Sequence, residues 1–513
     1  MKTVFQGNPY FEAGDWVVIG VYLVGIVALG MWFGKDQKNT RDYFLGSKNI
    51  PWWGIGFSIV AAETSALTII GVPGTAYAGN IGFIQMIAGY VIARIILAVV
   101  MVPHYLRGEI YSPYQLFANT LGQSARRMAG GLFLLSETLA AGVRVYVACI
   151  PIQLMLGIQV LPAIVLFVVL SLLYTYVGGV KAVIWTDAVQ FGLFLAGGLF
   201  TLLYIPQLFD GGFKEVFSLA ARQGKLDWLN THFSLAKPFN LWMGVIGGTV
   251  MVMSSHGAEQ LIVQRVLACR SIADGRKALV LSAVLILPLF LIFLLVGAML
   301  WVYYQKFPMA IPLPETRPGI KATDYVYPIF MLTAVPNILK GFLIVAILSA
   351  AMSSVSSALT SLASVATMDF VQAMWAKGRS EAFYLRFSKV STIGWAALLI
   401  LVALLTQRVE SVLNAAFDLR GLTSGALLGG LLLAVFWKKA SAQPVITAMA
   451  ASVMVMMVIN WYFKEKVFWP WYTLIGTLVT VSVTFVLTPV FDSRPGKERV
   501  AGKPEAHRES TTI

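Results

Sequence analysis

The chain has 513 residues, of which 58% are hydrophobic and 12% are charged, with a formal net charge of +14. Soluble globular proteins are about half apolar and about a quarter charged, so a soluble enzyme, a nucleic-acid binder and a disordered protein fit this composition poorly. The apolar runs are long and continuous and lack the alternation of an outer-membrane barrel. The composition therefore predicts an all-α protein that crosses the membrane many times.

Thirteen apolar segments approach or exceed the length of a membrane-spanning helix, which is about 17–25 residues. The predicted spans are 16–34, 53–78, 82–105, 129–156, 160–177, 183–206, 240–268, 278–304, 337–370, 387–406, 410–437, 442–463 and 469–490. Most of the 38 Lys and Arg residues fall in segments that are cytosolic if the N-terminus lies outside. The positive-inside rule therefore predicts an N-out, C-in orientation.

Several kinds of chemistry have little support in the sequence. The two cysteines, Cys149 and Cys269, lie in or beside apolar segments, and the chain has only four His. This pattern favours neither a disulfide framework nor a zinc enzyme. The phosphate-binding pattern G-x-x-x-x-G-K-[ST] is absent, so direct drive by ATP has no support in the sequence.

The second span loses its apolar character at Glu63, Thr64, Ser65 and Thr68, and a Gly/Pro break follows. Unwound backbone inside a membrane persists only where protein or a water-filled cavity satisfies it. Its free carbonyls can bind a cation. The alternative is a kinked helix whose hydroxyls bond back to its own carbonyls.

A run of hydroxyl residues lies at 353–361, in the ninth span. Ser353, Ser356 and Ser357 have the i, i+3, i+4 spacing that places them on one helix face. Hydroxyl and carbonyl oxygens suit a hard cation such as Na⁺, whereas Zn²⁺ prefers nitrogen or sulfur ligands. The alternative is a face of small residues that packs against another helix.

Two further polar features interrupt the spans. Asp187 begins the sixth span near the cytosolic boundary, where it could line an ion's exit path or cap its helix. The seventh span is polar at 254–265, a segment that contains His256, Glu259 and Gln260. The breaks of the second and seventh spans stand five spans apart, as inverted five-helix repeats with a site near the midplane predict.

Three further strings carry a family resemblance. Residues 174–187 have the pattern Tyr-Thr-x-x-Gly-Gly-x-x-x-Val-x-Trp-Thr-Asp, residues 263–265 read Val-Gln-Arg, and the ninth span contains Ser-Ser-x-Ser-Ser. Gly178-Gly179 in the first string predicts a tight turn on the cytosolic side, between the fifth and sixth spans. Together with the second-span break the three strings resemble the sodium/solute symporter family, which includes sugar, sialic-acid, proline, iodide and monocarboxylate transporters. The resemblance runs from about Trp16 to Pro489.

The resemblance implies a LeuT-like core of 5+5 inverted repeats. The implied regions are an extra helix and loop at 1–52, the core at 53–437 (repeats at 53–206 and 240–437), two extra helices at 438–490 and a cytosolic tail at 491–513.

The resemblance also implies a main sodium site, built from two carbonyls of the second span and hydroxyls of the ninth. By alignment the ligands are Ala61, Thr64, Ser353, Ser356 and Ser357, with Thr64 matching through its backbone alone. Asp187 matches an aspartate on the inner side of that site, which helps a second sodium in some sialic-acid transporters. The number of Na⁺ ions therefore stays open.

The resemblance places the substrate between spans two, three, four, seven and eleven. The candidate contacts are Glu63, Ser65, Thr68, Gln85, Arg144, His256, Glu259 and Gln260. Arg144 aligns with an arginine that pairs with the substrate carboxylate in sialic-acid transporters. Because Glu63, Asp418 and Arg420 depart from that subfamily, Arg144 could instead pair with Glu63, Glu137 or Glu259.

These implications favour a Na⁺-coupled symporter that imports a sugar, a sugar acid or another organic acid by alternating access, and not an enzyme. The expected cofactor is Na⁺, and the expected partners are the solute and the lipid bilayer of a cell inner membrane. We expect no nucleic acid and no obligatory protein partner. The alternatives are a proton-coupled transporter of the same fold, in which Glu63 or Asp187 titrates, and a solute sensor that kept the fold.

Overall fold

The computed structural model describes residues 10–492 except 36, 109, 157, 318–319 and 407–411, and these residues are almost entirely helical. The helices of the described chain are α1 (Ala13–Gly34), α2 (Thr40–Leu45), α3 (Trp52–Glu63), α4 (Ala66–Ala78), α5 (Ile84–Val100), α6 (Val102–Leu106), α7 (Tyr114–Leu121), α8 (Gln123–Leu156), α9 (Val160–Tyr204), α10 (Gly212–Arg222), α11 (Thr249–Gly257), α12 (Gln260–Leu267), α13 (Ile272–Lys306), α14 (Val326–Ala334), α15 (Leu339–Val365), α16 (Glu381–Leu405), α17 (Val412–Phe436), α18 (Ala442–Tyr462) and α19 (Tyr472–Asp492).

Shorter elements join these helices. They are π-helical segments at Met243–Gly248 and Ala366–Trp375, 3₁₀ turns at Gly46–Lys48, Ile81–Phe83, Ile205–Leu208, Thr323–Tyr325 and Trp469–Trp471, and an antiparallel hairpin of β1 (Glu315–Arg317) and β2 (Ile320–Lys321).

Within the described residues, ten helical stretches have the length and composition of a membrane span, and a bent pair of helices can form an eleventh. The predicted all-helical, multi-pass architecture is therefore confirmed. Thirteen spans and an N-out, C-in orientation remain predictions. The predicted tail lies, from 493 onward, outside the described residues.

Helix α9 is a pair of spans joined by a glycine turn. It covers 45 residues, and an unbroken helix of that length would be about twice as long as the hydrocarbon core is thick. Gly179 interrupts it with φ 54° and ψ −155°, a conformation that glycine adopts readily because it has no Cβ. A Cβ here would lie 2.4 Å from the carbonyl oxygen of Tyr43. The turn predicted at Gly178-Gly179 is therefore present.

Both predicted breaks inside spans are present as well. Helix α3 ends at Glu63, Thr64 follows with an extended ψ of 100°, and the chain bends by 55° before it continues in α4. The seventh span divides in the same way, because Glu259 is extended between α11 and α12, with φ −103° and ψ 132°. Each break leaves helix-terminal backbone groups without intrahelical partners inside the bundle.

Helix α15 lies at the centre of the bundle. In α15 and the π-helical segment after it, 94% of the most apolar window is buried, compared with 22% in α1 and 28% in α19. The hydroxyl-rich face at 353–361 is therefore surrounded by protein, while α1 and α19 present apolar side chains at the periphery.

The loop at 207–239 is fastened to the end of the broken second span. Lys225 donates through Nζ to the carbonyl oxygens of Tyr77 and Gly79, both at 2.8 Å. These carbonyls lie at the C-terminal end of α4, where helix carbonyls lack intrahelical donors. Burial lowers the pKa of Lys225 below its ordinary value.

Candidate functional site

The three predicted serine ligands share a buried face of α15. Ser353 donates through Oγ to Oδ1 of Asp187 at 2.6 Å. Ser356 and Ser357 donate to the carbonyl oxygen of Ser353, at 3.0 and 2.6 Å. The serine face thus lies against Asp187 on α9.

A second set of contacts joins this face to α3 and α12. Ser58 donates through Oγ to Oδ2 of Asp187 at 2.5 Å. Arg265 donates to Oδ2 of Asp187 and to Oγ of Ser58, both at 2.8 Å, and also contacts Oγ of Ser357. Ser58 in α3, Asp187, Arg265 and the serine face of α15 therefore form one polar cluster.

Asp187 does not cap a helix. It lies inside α9, eight residues beyond Gly179, and its carboxylate accepts hydrogen bonds from side chains of three other helices. The sequence left two roles open for Asp187, and the structure does not support the helix-capping role. The exit-path role remains a prediction.

The predicted backbone ligands lie at the break that ends α3. Ala61 is in the last turn of this helix and Thr64 is the first residue beyond it, where carbonyls lack intrahelical donors. The buried hydroxyl of Thr64 has no hydrogen-bond partner in the described part of the chain. The described residues contain no group of three or more His, Cys, Asp or Glu that could hold a metal ion. A set of neutral oxygens fits Na⁺ better than a transition metal.

A small cavity of about 80 Å³ adjoins the breaks of both spans. Six of the eight predicted substrate residues line it: Glu63, Ser65, Thr68, Arg144, His256 and Glu259. Tyr90, Phe290, Trp469 and Arg420 also line the cavity.

Glu63 lies between two partners at the cavity. Its Oε2 contacts Nη2 of Arg94, a side chain with no solvent exposure, and lies 3.6 Å from Nε2 of His256. Nη2 of Arg94 also lies 3.1 Å from Nε2 of His256, and Nδ1 of His256 lies 2.8 Å from Oγ of Ser255. Because a guanidinium only donates, a hydrogen bond between Arg94 and Nε2 of His256 requires a neutral imidazole with its proton on Nδ1.

The two arginines that line the cavity, Arg144 and Arg420, are also paired. Nε of Arg420 donates to Oε1 of Glu259 at 3.0 Å, and this pair connects α17 to the break between α11 and α12. Nη2 of Arg144 lies 3.1 Å from Oε1 of Glu137 on the same helix, α8. Of the three partners considered for Arg144, Glu137 is the one that the structure provides.

Gln85 and Gln260 do not line the cavity. Gln85 donates to the carbonyl oxygens of Gly82 and Phe239, both at 3.1 Å. Gln260 donates to the carbonyl oxygen of Tyr111 at 2.7 Å and to Oγ of Ser364 at 3.1 Å. In this structure both amides hold neighbouring segments together, and their predicted contact with substrate remains untested.

Sequence reasoning misses Ser58, Arg94 and Arg265 as members of these clusters. Arg94 does carry a signal, because a charged residue within an apolar span commonly marks a functional site. Arg265 belongs to the Val-Gln-Arg string, yet the orientation argument treats it as a cytosolic loop cation. Arg265 is only 2% exposed and lies inside the bundle.

Two broken helices that adjoin a polar cavity within a helical bundle are features of a secondary transporter. The sodium:solute symporter family model matches residues 43–454. The chain belongs to this family.

Two relatives of known transport activity align with nearly the whole chain. The sodium/sialic acid symporter SiaT of Proteus mirabilis is 28% identical and the alignment covers 93% of this chain and 95% of SiaT. The sodium/glucose cotransporter of Vibrio parahaemolyticus is 26% identical, with coverage of 96% and 94%. Family members are transporters, so the predicted family and its coupling ion, sodium, are confirmed at the level of the family.

Solved structures agree with the fold. A substrate-bound, outward-open structure of a Na⁺-coupled sialic acid symporter superimposes with a TM-score of 0.84 at 27% identity, covering 94% of this chain and 98% of that one. The nucleobase–cation symporter Mhp1, in a closed conformation, gives a TM-score of 0.58 at 14% identity, covering 87% and 93%. The second likeness supports the fold alone.

Proposed function

We propose that this protein is a Na⁺-coupled symporter of the cell inner membrane that imports a small polar solute by alternating access. The main observation in its support is the placement of the broken second span. Glu63 and Ser65, on either side of the break, line the polar cavity, and Ser58 of the same span is joined to Ser353 on the serine face through Asp187. Binding of one Na⁺ at the break would therefore affect both the serine face and the cavity.

The proposed ion site consists of the carbonyls of Ala61 and Thr64 and the hydroxyls of Ser353, Ser356 and Ser357. Na⁺ held by these oxygens would join the end of α3 to α15. Ser65 and Thr68, which follow the break, line the cavity. Fixing the break would therefore fix the position of these two hydroxyls for the solute.

The proposed solute site lies between α3, α4, α8, α11 and α17. Hydroxyl, carboxylate, imidazole and guanidinium groups line it together with three aromatic rings. Such a wall suits a small solute with several hydrogen-bonding groups and an apolar face. Rocking of one repeat against the other would then expose this site to either side in turn.

Proton coupling has weaker support than Na⁺ coupling. It requires Glu63 or Asp187 to gain and lose a proton during the cycle. Glu63 is paired with Arg94 and Asp187 with Arg265, and both arginines are buried. A protonated carboxylate at either position would leave its buried arginine without a counter-charge, which is unfavourable.

The test compares the thermal stability of the purified protein in Na⁺ with that in K⁺ or choline, followed by uptake into proteoliposomes. A ligand that binds the folded state raises its apparent stability by mass action. We expect Na⁺, but not K⁺ or choline, to raise the thermal stability of the wild type. Ser356→Ala or Ser357→Ala should remove this Na⁺-specific rise. We expect solute uptake to require an inward Na⁺ gradient.

Ser354→Ala is the matched control. Ser354 is buried on the same helix and donates to the carbonyl oxygen of Ala350 at 3.0 Å, but it is not a proposed ligand. Na⁺ should stabilise Ser354→Ala as much as it stabilises the wild type. A wild-type protein that Na⁺ and K⁺ stabilise equally would contradict Na⁺ coupling.

A further inference from the structure

Glu137 holds Arg144 from a position behind the cavity wall. The two residues lie seven positions apart on α8, so they share one helix face two turns apart. Their side chains lie 3.1 Å apart, with 1% of Glu137 exposed and 10% of Arg144. Arg144 lines the cavity and Glu137 is not among its lining residues. The carboxylate therefore neutralises the guanidinium without occupying space where solute would lie.

The other charged groups of this cavity are paired in the same manner. Arg420 is held by Glu259, and Glu63 is held by Arg94. A hydrogen bond from Arg94 to Nε2 of His256 requires that imidazole to be neutral. The ionised side chains that line the cavity within the described chain thus have oppositely charged partners, and together with these partners they carry no net charge.

This charge balance has a consequence for the solute. A monoanion that bound Arg144 would compete with Glu137 for the single positive charge of the guanidinium, and displacing Glu137 would leave its carboxylate buried without a partner. Removing one partner of a buried ion pair is strongly unfavourable. A solute without net charge can instead form hydrogen bonds to the existing pairs and to the hydroxyls of Ser65 and Thr68.

We infer that Glu137 makes the central site select solutes without net charge, neutral sugars or zwitterions, over monoanionic sugar acids. The inference rests on the proposed Na⁺-coupled symport and narrows its solute class. It assigns Glu137 as a specificity-determining residue that acts through Arg144. Arg144 then contributes hydrogen bonds to the solute in place of a free positive charge.

The test uses pairs of sugars that differ mainly by a carboxylate. The probes are galactose against galacturonate and glucose against glucuronate, with alanine as a zwitterion, all in Na⁺. Affinities come from the thermal stability of the purified full-length protein and from isothermal titration. We expect the wild type to bind a neutral or zwitterionic probe at least about tenfold more tightly than either sugar acid.

Glu137→Gln should shift that preference. The change frees Arg144, so the affinity for a sugar acid relative to its neutral counterpart should rise by about tenfold or more. The double variant Glu137→Gln/Arg144→Gln removes both charges and leaves no buried group unpaired. It should keep the wild-type rejection of sugar acids, which tests the inference even where the single variant folds poorly.

Glu215→Gln is the control for a lost carboxylate. Glu215 is in α10, where it lies 3.7 Å from Lys306 in a partly exposed ion pair. Glu215→Gln should leave the ratio of neutral to anionic solute affinity unchanged. A wild type that prefers a sugar acid to its neutral counterpart, or a Glu137→Gln variant with the wild-type ratio, would overturn the inference.

The inference and the proposed function fail separately. Stabilisation by Na⁺ without solute reports on the proposed ion coupling. The ratio of neutral to anionic affinity, measured at one Na⁺ concentration, reports on Glu137.

Discussion

Nη2 of Arg265 lies 2.8 Å from Oδ2 of Asp187, although the two residues are 78 positions apart in the chain. The same guanidinium reaches Ser58 on α3 and Ser357 on α15. An arginine side chain thus neutralises the carboxylate beside the proposed sodium ligands. The oxygens left for an ion are uncharged hydroxyls and carbonyls.

Losing one partner of this ion pair should strongly destabilise the bundle. Arg265→Gln leaves the carboxylate of Asp187 buried without a counter-charge, and we expect the free energy of unfolding to fall by about 3–5 kcal/mol. The measurement is the midpoint of thermal denaturation in detergent.

Two further variants complete the test of this pair. Arg265→Gln/Asp187→Asn removes both charges and should recover most of the loss, because no buried ion then lacks a partner. Lys306→Gln breaks a partly exposed pair with Glu215 and should cost less than about 1 kcal/mol. Additive losses in the double variant would show that Arg265 and Asp187 act independently.

Gly179 should tolerate no side chain. Gly179→Ala places a Cβ 2.4 Å from the carbonyl oxygen of Tyr43, at a φ of 54°. We expect a loss of about 1–3 kcal/mol or more in thermal denaturation. Gly192→Ala on the same helix meets nothing within 4 Å and should be neutral or stabilising by up to about 1 kcal/mol. Equal behaviour of the two variants would contradict the assigned turn.

The larger features of the fold follow from the sequence because they depend on local pattern. Long apolar runs predict the spans, a Gly-Gly pair predicts the turn within α9, and polar stretches predict the breaks at 63–66 and 258–259. Each of these signals lies within one segment of the chain. The serine face of α15 is predictable for the same reason, since helical periodicity alone places Ser353, Ser356 and Ser357 together.

The pairing of charges within the site does not follow from the sequence. Glu63 has several arginines in the spans as potential partners, and only the packing of α5 against α11 brings it to Arg94 and His256. The roles of Gln85 and Gln260 depend on loops that lie far away in sequence, which no periodic pattern indicates. Arg265 is missed because a cation near a span boundary looks the same in sequence whether it faces water or Asp187.

Glu63 should affect solute binding more than ion coupling. Glu63→Gln removes a carboxylate from the cavity wall and weakens charge-assisted hydrogen bonds, so we expect solute affinity to fall about tenfold or more. Uptake should still require Na⁺ when the pH is equal on both sides of proteoliposomes. Uptake by the wild type that follows a pH gradient in Na⁺-free medium would favour the proton-coupled alternative. Glu215→Gln should match the wild type in both assays.

The charge moved in each cycle connects the solute class to the number of ions. With one Na⁺ and a solute of no net charge, each turnover carries one positive charge inward. A potential of about 100 mV then supplies about 2.3 kcal/mol and a tenfold Na⁺ gradient about 1.4 kcal/mol. Together they can sustain roughly 500-fold accumulation, whereas a monoanion carried one-to-one gains only about tenfold.

Solute accumulation in proteoliposomes at potassium diffusion potentials of different size measures this charge. Because Arg265 already neutralises Asp187, we expect one Na⁺ per solute, and accumulation should rise about tenfold for each 60 mV of inside-negative potential. A rise of about a hundredfold over the same interval would require a second ion. In that case Arg265 would have to move away from Asp187 during the cycle, and Arg265→Gln would be expected to strengthen the binding of the second Na⁺.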